Sequence, residues 1–352
     1  MKYYSLCIAA MVFFTSCKKD KEENTTLPQN TNPETGYLYG AFVVNEGSFM
    51  SNNGSMSYVD AQNEITNDVY LQVNGFELGD VLQSFMVSGN EGYAVLNNSQ
   101  KVVVVDMKTM THTAEITGFD YPRYLQDLGN GKAYLTNGNM AGDIKVINLA
   151  TKEIEGSITV GNGPEKMLKV GNEVFVCNSG GWDLDHTISV IDISSGSVIH
   201  TIEVGDRPMD LVQDASGDIW VLCAGNDSWM TGGETLASLY RINSNSHIVE
   251  ANQTIGSVGV HPKNIAVDAT GNVIYFENNG VFSFQPLSAE PVFTSFISEP
   301  VGSLDVNPST GDVWTSSVSD FTNPSTVTCR NAQGNIRFTL EAGIGANAVV
   351  FN

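Results

Sequence analysis

The side chains that could do acid–base or metal chemistry are few and scattered. The five histidines are His112, His186, His200, His247 and His261, and none stands in an HExxH or other metal-ligand spacing. No GxSxG elbow is present. His186 follows Asp185, but no serine or cysteine is identifiably placed as its partner. Asp183 and Asp185 are neighbours on one segment, and spacing alone does not set them on two sides of a glycosidic bond. Asn307 to Trp314 (NPSTGDVW) reads as a hairpin turn. The chain is therefore expected not to be an enzyme and to hold neither metal nor cofactor, with a hydrolase as the third-ranked reading.

A second population of residues suits binding. Phe49, Trp182, Trp229 and Phe321 lie in polar segments, with Phe76, Phe119, Tyr121 and Tyr124 in others. Asparagines stud the same kind of segment: Asn45, Asn52, Asn97, Asn98, Asn137, Asn139, Asn178 and Asn226. Flat aromatic faces beside amide donors and acceptors suit a large, rigid ligand rich in amides or hydroxyls. The structural alternative is that asparagine ends strands and starts turns while the aromatics plug a channel. Arg123, Lys166, Arg207 and Lys263 flank prolines or equivalent turns, and Glu46, Glu165, Asp183 and Asp185 are expected to face them. Such a group could receive an anionic moiety or could consist of local ion pairs. The two readings stand equal.

Composition narrows the partners. A formal charge of −22, with 17 Lys and Arg, argues against nucleic acid, which needs clustered cations. Cys177, Cys223 and Cys329 lack CxxC spacing, and the first two occupy matching positions on hydrophobic strands. Buried free thiols are expected, not a metal–thiolate site.

What positions these residues is an internal repeat. One unit runs VFVCNSGG (174–181), HTISVIDISSG (186–196), SVIHTIEVGDRP (197–208) and MDLVQDASGD (209–218), then restarts at Ile219. Each piece alternates apolar and polar residues and ends in Gly, Asp, Asn or Ser, the mark of short antiparallel strands joined by hairpins. Equivalent units start near Phe42, Tyr93, Ala133, Val174, Ile219, Val273 and Val313, at spacings of 40 to 54 residues. Four strands in about 40 residues is the length of a propeller blade. The third strands end in Asp60, Asp106, Asn148, Asp192, Asn243, Gln285 and Asn331, which read as turn starters rather than catalysts. The first unit lacks an innermost strand, and Gly345 to Asn352 (GANAVVFN) fits it. The expectation is all-β: a seven-bladed β-propeller of four-stranded blades over 37–352, closed by the C-terminal strand joining the N-terminal blade. Loops between second and third strands, and those between blades, then share one rim. Asn45–Ser55, Asn178–Thr187, Ala224–Ala237 and Ser316–Ser325 would be long, Asn97–Gln100 and Glu277–Gly280 minimal.

Residues 1–16 read as an export signal, with Lys2, an apolar run from Leu6 to Phe14 and Thr15-Ser16 before Cys17. The run is too short to span a bilayer. A cysteine there resembles a bacterial lipobox, although Phe14 departs from its pattern; lipidation at Cys17 is expected, an ordinary signal peptide being the alternative. Residues 17–36, charged and then rich in Asn, Thr and Pro, read as a solvated tether. The acidic stretch behind Cys17 resembles the surface-export signal of outer-membrane lipoproteins in gut Gram-negative bacteria, against a periplasm-facing anchor.

HTISVIDISSGSVIHTIEVGDRPMDLVQDASG resembles the repeat of YVTN-family propellers, and VVNEGSFMSNNGSMSYVD (43–60) resembles the BtuG-type surface lipoproteins. That second resemblance implies capture of cobalamin or another corrinoid for an outer-membrane TonB-dependent transporter, with no chemistry done by the protein. It implies aromatics on the macrocycle and nucleotide base, asparagines on the propionamides and basic residues on the phosphate. By loop position the ligand-binding set is Asn45, Glu46, Phe49, Asn97, Arg123, Tyr124, Asn137, Asn139, Asn178, Trp182, His186, Arg207, Trp229, Lys263 and Phe321. The rival class is an adhesion or scaffold propeller that binds protein or glycan.

Overall fold

The computed structural model describes residues 36–139, 141–288 and 291–352. The expected signal segment, the expected lipidation site Cys17 and the expected tether up to residue 35 lie outside them. No helix among the described residues is long and apolar enough to cross a membrane.

Seven four-stranded antiparallel sheets form, each running from an innermost to an outermost strand. Blade 1 is Ala346–Phe351, Ala41–Asn45, Ser55–Val59 and Ile65–Thr66; blade 2 is Leu82–Ser88, Glu91–Leu96, Lys101–Asp106 and His112–Thr117. Blade 3 spans Pro122–Asp127 to Glu153–Thr159, blade 4 Pro164–Val170 to Ser197–Glu203, and blade 5 Pro208–Gln213 to Val249–Thr254. Blade 6 spans Ile265–Val267 to Thr294–Ile297, and blade 7 Ser303–Val306 to Ile336–Ile344. Each innermost strand neighbours the next in order, and the last returns to the first. The ring is closed.

The apolar side chains that alternate along each strand face the neighbouring blade, so the core consists of seven separate clusters, one per joint. Phe42 and Met56 of blade 1 meet Phe85 and Leu96 of blade 2, for instance. Cys177 and Cys223 lie in the joint between blades 4 and 5 and Cys329 in that between 7 and 1, all three as buried free thiols. The C-terminal strand pairs with Ala41–Asn45 from Phe351↔Ala41 to Ala346↔Asn45, completing blade 1. That pairing covers the backbone edge a lone N-terminal strand would expose.

The third-strand Asx residues are turn formers: Asp60, Asp106, Asn148, Asp192, Asn243 and Asn331 each accept backbone N–H groups two to four residues on. Asn307 does the same toward Ser309 and Thr310, the hairpin turn read from the sequence. Blade 1 adds what the sequence did not announce. Its outer strand is two residues long, and a short helix, Val69–Asn74, follows and buries Val69 and Tyr70 in the first joint.

Truncation after Ile344 removes the innermost strand of blade 1. The shortened chain is expected to lose its cooperative thermal transition and to associate through the bared strand, as read by calorimetry and size-exclusion chromatography. A monomer with an unchanged transition would show closure to be dispensable.

Candidate functional site

The long loops fall where expected, between Asn45 and Ser55, Asn178 and Thr187, Cys223 and Ser238, and Ser316 and Pro324. They share one rim with the blade-to-blade connections. Contacts run along it: Ser48 Oγ donates to Phe321 O (2.5 Å), and Met50 N donates to Asp80 Oδ2 (2.9 Å). Asn97 Nδ2 donates to Pro122 O (3.1 Å), and His261 Nδ1 lies 3.0 Å from Ala224 O. Inside this rim the channel opens in a cavity of about 460 Å³ to which every blade contributes.

Its lining follows from how the innermost strands begin. In blades 2 to 5 a register shift occurs at the first residues, between Leu82 and Ser84, Pro122 and Leu125, Pro164 and Met167, and Pro208 and Asp210. Such a bulge re-aims side chains. The residues after the opening position (Gln83, Arg123 with Tyr124, Lys166, Met209) line the cavity, together with Lys263, Asn264 and Asn347 of blades 6 and 1.

Polar bonds join these strands round the axis. Asn347 Nδ2 donates to Gln83 O (3.2 Å), Gln83 Nε2 to Tyr124 Oη (3.1 Å) and Ser84 Oγ to Arg123 O (2.7 Å). Arg123 pairs with Glu165 (2.9 Å) and Lys166 with Asp210 (2.6 Å). Asp210 also accepts from Ile265 N (3.2 Å), and Asp305 accepts from Val349 N (2.8 Å). Six of the seven joints are thus tied at the hub, among the described residues; the joint between blades 6 and 7 is held by apolar contacts such as Ala266, Val301 and Leu304.

Burial governs the charges here. It would lower the Lys166 amine, but Asp210, Tyr124 and Asp305 hold it above the ordinary lysine range. Asp210 is pushed up by burial against the pull of Lys166. Burial lifts Asp305 to about 6, with Lys166 and the Val349 amide opposing. Glu46 is raised by burial against Arg123 and Lys263, and Glu277 by burial against the Lys263 and Asn264 amides. Lys263 is exposed, makes no ion pair among the described residues, and acts on Glu46 and Glu277 at longer range.

The expected site residues divide into three groups. Glu46, Arg123, Tyr124, Lys263 and Phe321 line the cavity together. Phe49, Trp182, His186 and Trp229 stand exposed on the rim outside it, and Phe49, Trp182 and Trp229 are 64%, 77% and 65% accessible. Asn97 and Asn139 are half-buried there, Asn139 donating to Asp120 Oδ2 (3.1 Å), and Arg207 is committed to Asp227 (2.8 Å). Asn45, Asn137 and Asn178 correct the expectation. They are fully buried. Asn45 donates to Ser55 and Ser57, Asn178 to Thr187 and Ser189, and Asn137 accepts from Asp120 N and Tyr121 N while donating to Asp143. Their amides hold rim loops to strands, because a strand-ending amide bonds the adjacent backbone and hydroxyls before it reaches solvent.

The cations are corrected likewise. Asp183 and Asp185 form no ion pair with them: Asp185 accepts from His186 N and Thr187 N of its own loop and from Asn162 N of the connection between blades 3 and 4. Local ion pairs account for Arg123, Lys166 and Arg207 and leave Lys263. Gln83, Met209, Asn264, Glu277 and Asn347 were missed. Counting one residue past the innermost-strand opening would have found Gln83, Met209 and Asn347, and counting two past Pro262 would have found Asn264.

Because folded Asp305 holds its proton to about pH 6, against about 4 when unfolded, the fold binds the extra proton between those values. The contribution of Asp305 to stability therefore falls as pH rises from 4 through 6. Asp305→Asn should flatten this loss in urea melts; an unchanged slope would place the titration elsewhere. Lys166→Met, which strands buried Asp210, should cost on the order of 3 kcal/mol, whereas Lys263→Met should leave stability within about 0.5 kcal/mol. Equal costs would contradict the ion-pair geometry.

Several solved structures share the fold. A chain of Kuenenia stuttgartiensis hydrazine synthase superposes with a TM-score of 0.65 at 19% identity, over 82% of this chain and 96% of that one. A quinonprotein alcohol dehydrogenase-like protein from Bacteroides thetaiotaomicron VPI-5482 gives 0.66 at 14%, over 90% and 78%. A functionally unknown protein from Desulfotomaculum acetoxidans DSM 771 gives 0.63 at 14%, over 89% and 98%. Identities this low speak to the propeller alone. No curated protein matches the sequence. Residues 39–323, well over half the chain, match the family described as "Domain of unknown function (DUF5074)", and the chain belongs to that family.

Proposed function

We propose that this protein is a non-catalytic binding propeller, a surface-exposed lipoprotein anchored through Cys17. On this reading its channel mouth captures cobalamin or another corrinoid for an outer-membrane TonB-dependent transporter. The observation that carries the reading is the convergence of seven blades on one polar cavity beneath a rim of exposed aromatic side chains.

The cavity volume falls within the range of roughly 300–1,000 Å³ usual for small-molecule sites. A corrinoid with its nucleotide exceeds that volume, so it would lie across the mouth and lower only its side groups inside. Gln83, Asn264 and Asn347 offer amides to ligand amides, and Tyr124 and Phe321 offer ring faces. Lys263 is the mouth cation left for a phosphate. Hub carboxylates held by Arg123, Lys166 and backbone amides are suited to rigidity rather than to proton transfer. Affinity would come from a surface formed before the ligand arrives.

Isothermal titration of cyanocobalamin against a panel of glycans tests this. Nanomolar binding, about −12 kcal/mol, is expected for the corrinoid alone. Trp182→Ala should weaken it at least tenfold with an unchanged melting temperature. Silence across corrinoids removes the reading, and binding to glycans instead favours the adhesion class.

A further inference from the structure

On the opposite rim, the turn between third and fourth strands presents one left-handed residue four positions after its Asx. These are Met110 (φ 61°) in blade 2, Lys152 (φ 62°) in blade 3, Gly196 (φ 63°) in blade 4 and His247 (φ 59°) in blade 5. In all four its N–H bonds the Asx carbonyl: Met110 to Asp106, Lys152 to Asn148, Gly196 to Asp192 and His247 to Asn243. Where a side chain exists, it fills the joint with the preceding blade. Met110 is buried among the apolar residues between blades 1 and 2. The Lys152 ammonium reaches Glu91 and donates to Tyr93 Oη (2.8 Å) of blade 2. The His247 imidazole meets Glu173 (2.9 Å) and packs edge-on against Phe175 of blade 4.

Blade 4 has glycine at this position, and the joint between blades 3 and 4 is open. A cleft of about 570 Å³ lies there, lined by Lys132, Tyr134, Ile158, Asn172, Ser194 and Gly196 among others. A Cβ built on Gly196 meets nothing within 4 Å. The charge is also inverted. Glu91 and Glu173 begin the second strands of blades 2 and 4, with Tyr93 and Phe175 two residues on. In blade 3 the same places hold Lys132 and Tyr134. Among the described residues the Lys132 ammonium has one partner, Glu155 at 2.8 Å, which lines the same cleft; both are partly exposed (46% and 36%), so that pair is weak and a ligand carboxylate can displace Glu155 from it.

We infer that the cleft between blades 3 and 4 is a second ligand site, selective for small carboxylates with an apolar body. The carboxylate takes the place that Lys152 and His247 take in their own joints, but with inverted sign, receiving hydrogen bonds from the Lys132 ammonium and the Tyr134 hydroxyl. The body covers Val146 and Ile193, the half-buried apolar side chains of the lining. Nothing in this assignment depends on the ligand of the opposite rim.

Hexanoate and hexylamine, titrated into the folded chain and followed by ligand-observed NMR, test it. Hexanoate is expected to bind and hexylamine not. Gly196→Glu supplies a tethered carboxylate at the position where Met110, Lys152 and His247 already tolerate a side chain, and should weaken hexanoate at least tenfold. Gly196→Ala, a control for the backbone, should retain it. Equal binding of the amine, no binding of hexanoate, or hexanoate binding unaffected by Gly196→Glu would each overturn the assignment.

Discussion

Closure of the ring is the constraint on which the rest of the molecule depends. Ala346–Phe351 comes from one end of the chain and Ala41–Asn45 from the other, and only their pairing makes blade 1 whole. Each of the seven apolar clusters is shared by two blades, so none is complete in a single repeat. The last interface, where Trp314 and Val327 meet Val43 and Val349, exists only after closure. A repeat array of this kind gains its stability jointly, each joint adding to the next.

The same closure explains why charges can be buried at the axis. Removing an ion from water costs several kcal/mol unless geometry and hydrogen bonds return it. Here Arg123, Glu165, Lys166, Asp210 and Asp305 are met from neighbouring blades, and bulges turn consecutive side chains into the channel. Fixing those groups fixes the floor of the mouth, while the longer loops above it are freer to carry exposed tryptophans. Rim and scaffold are thereby separated: the hub charges Arg123, Glu165, Lys166 and Asp210 have internal partners, and among the described residues Lys263 has no ion pair while Trp182 and Trp229 stand exposed.

Architecture was legible because it repeats. Alternation, Asx turns and the strandless first unit fixed seven blades and their closure, and the turn role of Asp192 or Asn148 followed from position alone. The helix Val69–Asn74 was not legible, since it occurs once and six residues carry little periodicity. Asn45, Asn137 and Asn178 misled because an amide at a strand end has the same signature whether it faces a ligand or a neighbouring serine. Gln83 and Asn347 escaped because their openings lack the proline that marks Arg123 and Lys263. The partner of Lys166 is Asp210, 44 residues away in the next blade, a pairing that only the ring creates.

Hydrogen exchange of the backbone with and without cyanocobalamin tests the central claim most directly, that the seven blades converge on one ligand-binding mouth. New protection is expected in 46–54, 121–124, 179–186 and 317–323, on the rim that bears the cavity. Protection confined to the opposite rim, or none at saturating ligand, would contradict it.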